Sequence, residues 1–314
     1  EIYTNPFRNL QAEFHPLEIS PFDLILDRDN RLWVAGINQQ QVQALTGECK
    51  LAISACGQIV STNDVDSRPH RLVLRDDGRV IVGHQLNAGL KVIGADGFLE
   101  TIDVKEIPTD FTIDGSTIWM TSANELLEVD PSGEVLTRLE IGALPRAVAI
   151  LGSTLWVAVE GDGRLKAVDI PSKMEVPNKE VLLTQSADRF IPLLADPAEN
   201  RLFAALNKDN LVFEIDGTTA TEIRQYSTTD RPVEMWLAFE KLWVLTESSL
   251  DIFDTADGRR LDHLPLSGRP SSAEMIVCGP SCAELWVAFE STSELAYYDL
   301  SDSLDNLDRF TILP

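Results

Sequence analysis

Arginine recurs beside proline at widely separated points of this chain, in "SRPHR", "LPRA", "DRFIP", "DRPVE" and "GRPSS". Only 26 Lys and Arg stand against 50 Asp and Glu, so bases placed alike ask for a reason. Arg71, Arg146, Arg189, Arg231 and Arg269 could form a ring of guanidinium groups that receives an anionic ligand, because the planar fork matches a carboxylate. A clasp in which each arginine fastens neighbouring repeats fits the pattern as well, since repeated positions in repeat proteins usually serve the repeat. His70 and His84 flank one hairpin and, with Glu160 or Glu290, could supply a general base or hold a metal ion. Asn38, Asn87, Asn124 and Asn207 fall in comparable polar loops and are further candidate ligand contacts.

The elements that must position these residues repeat too. "RLWVAG" at 31 returns as "RVIVGH", "TIWMTS", "TLWVAV", "RLFAAL", "KLWVLT" and "ELWVAF", at intervals of roughly 40 residues. The copies are short, β-branched and aromatic, with turns between, which makes them strands rather than helices. Each follows an apolar strand and a tight Asp-Gly or Asp-Asn type turn, and each precedes a third strand and a more polar fourth. Four antiparallel strands in each of seven units predict an all-β, seven-bladed β-propeller spanning residues 1–314 as one domain. One blade cannot bury both faces, and stacking buries them. The third position of each copy, Trp33, Ile81, Trp119, Trp156, Phe203, Trp243 and Trp286, is therefore expected to pack between blades. Asp130, Asp169, Asp216, Asp254 and Asp299 are expected to cap the turn after each third strand. Residues 13–19 read as an outer strand lent to the last blade, so that the terminal strands close the ring; "RFTILP" at the C-terminus competes for that slot.

At 314 residues, 44% hydrophobic and a formal charge of −24, the chain has material for a large core and a field that repels nucleic acid and anionic membranes. No stretch is apolar for the length a transmembrane helix needs. The four cysteines lie as two close pairs, Cys49 with Cys56 and Cys278 with Cys282. Local pairs in even number predict two disulfides and an oxidising compartment; zinc is the competing reading. No N-glycosylation sequon occurs, which leans toward a bacterial periplasmic or secreted protein. The opening "EIYTNPFRN" fits a mature form or an excised domain.

The "LWVA" strands resemble those of the NHL-like and YVTN-like propellers, the superfamily that includes virginiamycin B lyase-like and SMP-30-like members. The resemblance covers essentially the whole chain and carries the fold. Its lyases and lactonases act through His, carboxylate and Asn groups around the central channel, and no local motif here transfers those roles. Hydrolase, P-loop, zinc-protease and EF-hand signatures are absent from the sequence. The expectation is a propeller that binds a protein or glycan through its loop face, without catalysis or a required cofactor, as a monomer or part of a larger assembly. The alternative is a lyase or lactone hydrolase using a divalent cation, Ca2+ or Mg2+, in the central funnel.

Overall fold

The structure, a computed structural model, describes residues 10–47, 56–94, 96–97, 99–184, 190–279, 282–301 and 304. The described strands form seven sheets of four antiparallel strands, the seven-bladed β-propeller expected from the repeat. In blade one the strands run Pro21–Leu26, Arg31–Gly36, Gln41–Thr46 and Ile59–Asp64, paired in chain order from inner to outer. Blades two to six begin at Pro69, Asp110, Pro145, Phe190 and Pro232 and repeat that order. Blade seven takes Ser272–Gly279, Cys282–Phe289 and Glu294–Asp299, and its outer strand is Glu13–Pro16 from the other end of the chain. The N-terminal segment thus fills the slot; "RFTILP" lies outside the described residues.

By internal contacts the chain forms two compact units, Glu1–Asp64 with Val233–Pro314, and Val65–Pro232. The first contains blades six, seven and one. The second contains blades two to five. In both, core clusters straddle adjacent blades: Trp156 lies among Ala147, Leu165 and Leu202, and Trp286 among Leu32, Val34 and Ile276. All seven repeated positions are at most 1% exposed, so burial between blades accounts for the motif. His15 rests on Trp286 with ring centroids 5.1 Å apart, and its ring occupies the space a side chain at Gly57 would need.

The five repeated aspartates cap their turns. Backbone N–H groups of Ser132, Ser172, Thr218, Ala256 and Ser301 donate to Asp130, Asp169, Asp216, Asp254 and Asp299 at 2.8–3.0 Å. The carboxyls of Asp130, Asp169 and Asp216 are held below the ordinary range, chiefly by the side-chain hydroxyls of Ser132 and Ser172 and the backbone N–H of Thr219 respectively.

Cys278 and Cys282 form a disulfide at the tip of the first hairpin of blade seven, with Cα atoms 5.1 Å apart. Cys56 is disulfide-bonded as well; its expected partner Cys49 lies outside the described residues.

Candidate functional site

Inner strands begin with a recurring device. Proline opens or precedes the strand at Pro21, Pro69, Pro108, Pro145, Pro232 and Pro270, where a missing N–H costs no ladder bond. In blades one, two and four the register then slips by one residue, a bulge that releases backbone groups from the ladder. The residue two places after each proline is Asp23, Arg71, Asp110, Ala147, Glu234 or Ser272. Several of these reach the next blade. Glu234 Oε2 accepts from the backbone N–H of Ala273 at 2.9 Å and from Ser272 Oγ at 2.8 Å, while Ser272 Oγ accepts from the N–H of Leu24 at 3.2 Å. In the second unit Asp110 Oδ2 accepts from Val148 N–H at 2.9 Å, and its Oδ1 lies 2.9 Å from Arg71 Nε. A side chain of one blade thus caps a buried backbone donor of the next.

The arginines share in this pairing. Arg71 meets Asp110 across blades. Arg146 Nε donates to Glu160 Oε2 at 2.6 Å within blade four, and Arg269 Nη2 to Glu247 Oε1 at 2.5 Å. Arg231 is exposed, and Arg189 lies outside the described residues. Three of the five guanidinium groups therefore already face a carboxylate. Asn38 and Asn124 are exposed, Asn87 and Asn207 partly buried. Asn207 Nδ2 stands 3.5 Å from Pro232 O, at the limit of a hydrogen bond.

His70 and His84 do come together. His70 is the extra residue of the bulge opposite His84, an arrangement that sets two residues of one strand against one of the other. His70 Nε2–H donates to Thr109 O at 3.2 Å. Burial lowers the affinity of both rings for a proton, to a pKa of about 4 at His84. Glu160 is committed to Arg146 in blade four, and Glu290, in blade seven, belongs to the other unit. Among the described residues no three His, Cys, Asp or Glu side chains converge to hold a metal ion.

The group that sequence reading passed over is Glu274, on the inner strand of blade seven. Burial, then the charges of Glu234 and Asp23, raise its carboxyl well above the usual range. Asp23 and Glu234 flank Ser272, at 3.5 Å and 2.8 Å from its Oγ. The inner strands of blades one, six and seven therefore carry a carboxyl inclined to keep its proton beside two that accept hydrogen bonds. A carboxyl that keeps its proton is the kind of group an acid role requires. The available signal was the residue two places after each proline, which collects acids in blades one, three and six.

The raised affinity has a consequence for stability. Native protein holds the Glu274 proton more tightly than the unfolded chain, so stability falls as pH rises through the ordinary glutamate range and continues to fall until Glu274 itself ionises. Glu274→Gln should be more heat-stable than wild type at neutral pH, and that advantage should shrink toward pH 4. A Tm difference that does not change with pH would mean that Glu274 titrates as an ordinary surface acid.

No protein-family model matches the chain, and no curated protein does. Solved structures do. Selenomethionine-substituted virginiamycin B lyase from Staphylococcus aureus superposes with a TM-score of 0.76 at 13% identity, covering 93% of this chain and 100% of that one. A catalytically inactive variant of the same enzyme, crystallised with quinupristin, also gives 0.76 at 14% identity over 93% and 100% of the two chains. A streptogramin B lyase gives 0.76 at 14%, over 94% and 99%. At these identities the likeness is one of fold: this chain has the seven-bladed propeller architecture of the virginiamycin B lyases.

Proposed function

We propose that this protein is an extracytoplasmic β-propeller that binds a protein or glycan ligand through the loops at the inner-strand entrances, with blades two to four as the contact region. The observation that carries this reading is Leu144. It is 46% exposed and precedes a proline with a left-handed backbone, φ 57°, a conformation uncommon for a non-glycine residue and disfavoured before proline. Backbone strain kept at an exposed apolar position is a mark of binding loops. Ile107, 45% exposed, lies in the corresponding link into blade three, and Leu86, 64% exposed, in the loop between the second and third strands of blade two. Apolar anchors favour a protein ligand over a glycan. The disulfide of blade seven supports an oxidising compartment, and no helix is long and apolar enough to cross a membrane. Peptides selected by display on the wild-type protein, and hits from a glycan array, should lose roughly tenfold or more in affinity on a Leu86→Asp, Leu144→Asp variant. Ligands that bind this variant as well as wild type would sink the assignment of the face.

A second reading is favoured by Glu274. A carboxylic acid that keeps its proton near two hydrogen-bonded carboxylates could protonate a leaving oxygen while Glu234 or Asp23 accepts a proton, the division of labour a ring-opening lyase or lactone hydrolase needs. The shared fold with virginiamycin B lyase supports this reading by analogy. Incubation with quinupristin followed by mass spectrometry distinguishes the outcomes: elimination opens the ring without change of mass, hydrolysis adds the mass of water, and unaltered substrate argues against this substrate class. Any turnover should fall about 100-fold or more in Glu274→Gln.

A further inference from the structure

His84 ends the second strand of blade two and is 1% exposed, yet neither ring nitrogen meets a hydrogen-bonding group among the described residues. The Nδ1 of His70, set against it by the bulge, is likewise buried without a partner. Such groups normally find partners when buried. The surrounding backbone is held under tension. Arg68 precedes Pro69 with a left-handed φ of 56°, a conformation costly before proline. It is kept there by Gln85 N–H donating to Arg68 O at 3.1 Å and by Arg68 Nε donating to Gln85 Oε1 at 3.0 Å. Gly83 leaves no slack, since a Cβ there would lie 2.7 Å from the Phe111 ring of blade three.

We propose that this end of blade two is an acid-operated latch, in which segments 66–71 and 84–89 stay closed around the neutral imidazole of His84 and part when that ring takes up a proton. A charge at His84 would be buried without a hydrogen-bond acceptor, which closed packing tolerates poorly. The charged and titratable groups around it act in both directions. Asp66 attracts the proton, while Lys91 and His70 oppose it. Asp66 is itself 3.3 Å from Lys91 Nζ, and His70 is influenced in turn by Asp110 and Arg71. Burial dominates and lowers the His84 pKa to about 4. The neutral ring therefore supports the closed state fully above the ordinary histidine range, and that support is lost as pH falls through about 4. Opening would free Arg68 from its strained conformation and move Leu86, so acid would reshape the contact region of the first reading above. The latch itself does not depend on that reading.

Hydrogen exchange of the intact chain, corrected for the intrinsic effect of pH, tests this at single segments. Protection of 84–89 and 66–71 should fall roughly tenfold or more between pH 7 and pH 4 while the other strands of blade two stay protected. His84→Phe, which cannot be protonated, should keep its protection in acid. Should that variant fail to fold, Asp66→Asn and Lys91→Met serve instead, the first moving the opening midpoint to lower pH and the second to higher. Unchanged protection in acid overturns the latch. So does a loss of protection identical in His84→Phe and wild type, or a midpoint that neither charge substitution moves.

Discussion

Trp156→Ala should lower the free energy of unfolding by about 3–5 kcal/mol, because it empties a fully packed site between blades four and five that adjacent side chains cannot refill. Denaturant unfolding is the measurement, and a variant within 1 kcal/mol of wild type would show that the repeated aromatic is not what joins the blades. Phenylalanine divides the ring more finely. The indole N–H of Trp156 is buried and finds no acceptor among the described residues, so Trp156→Phe removes an unsatisfied donor along with some volume. Trp33 differs, since its Nε1 donates to Asp27 Oδ2 at 2.8 Å, and Asp27 is 4% exposed. Trp33→Phe leaves a buried carboxylate short of a donor, a loss of about 1–3 kcal/mol. Phenylalanine should therefore be tolerated better at 156 than at 33, although the two strands look interchangeable in sequence.

That contrast marks the boundary of what sequence could convey. Strand and turn identity depends on residues a few positions apart, and "LWVA" after an Asp-rich turn carries that information locally. Partners across blades do not. Arg71 and Asp110 sit in different repeats, and the environment of Glu274 is made by Asp23 and Glu234, from two other blades. In "SSAEMIV" the glutamate looks like any alternating polar residue of a strand. His70 and His84 were legible as a pair because one hairpin holds them, but the carbonyl that fixes the His70 ring belongs to Thr109, in the link into blade three. The arginines beside proline drew attention by type, whereas the side chain that reaches the next blade stands two places after the proline. In blade two that position is Arg71, so the ligand reading and the clasp reading meet at a single residue.

Asp110 separates those two readings. Its carboxylate accepts from the N–H of Val148 and pairs with Arg71, so Asp110→Ala leaves one buried backbone donor unsatisfied and one guanidinium without that partner. The combined loss should be about 3 kcal/mol, the low end for a broken buried pair, since the Arg71 side chain retains 29% of its exposure and water screens part of its charge. Asp110→Asn can still accept from Val148 while losing the charge, and should cost less. Arg71→Ala should cost least, because Asp110 keeps its backbone bond and the lost cation was partly in water. Urea unfolding of the three variants would therefore rank them with Ala at 110 lowest, Asn at 110 between, and Ala at 71 nearest wild type. If Arg71→Ala instead proved as damaging as Asp110→Ala, the ion pair and not the backbone cap would be the fastening. If Arg71→Ala left stability intact but abolished binding of a ligand found for the loop face, Arg71 would return as a contact residue, with Asp110 holding its guanidinium in position for the ligand.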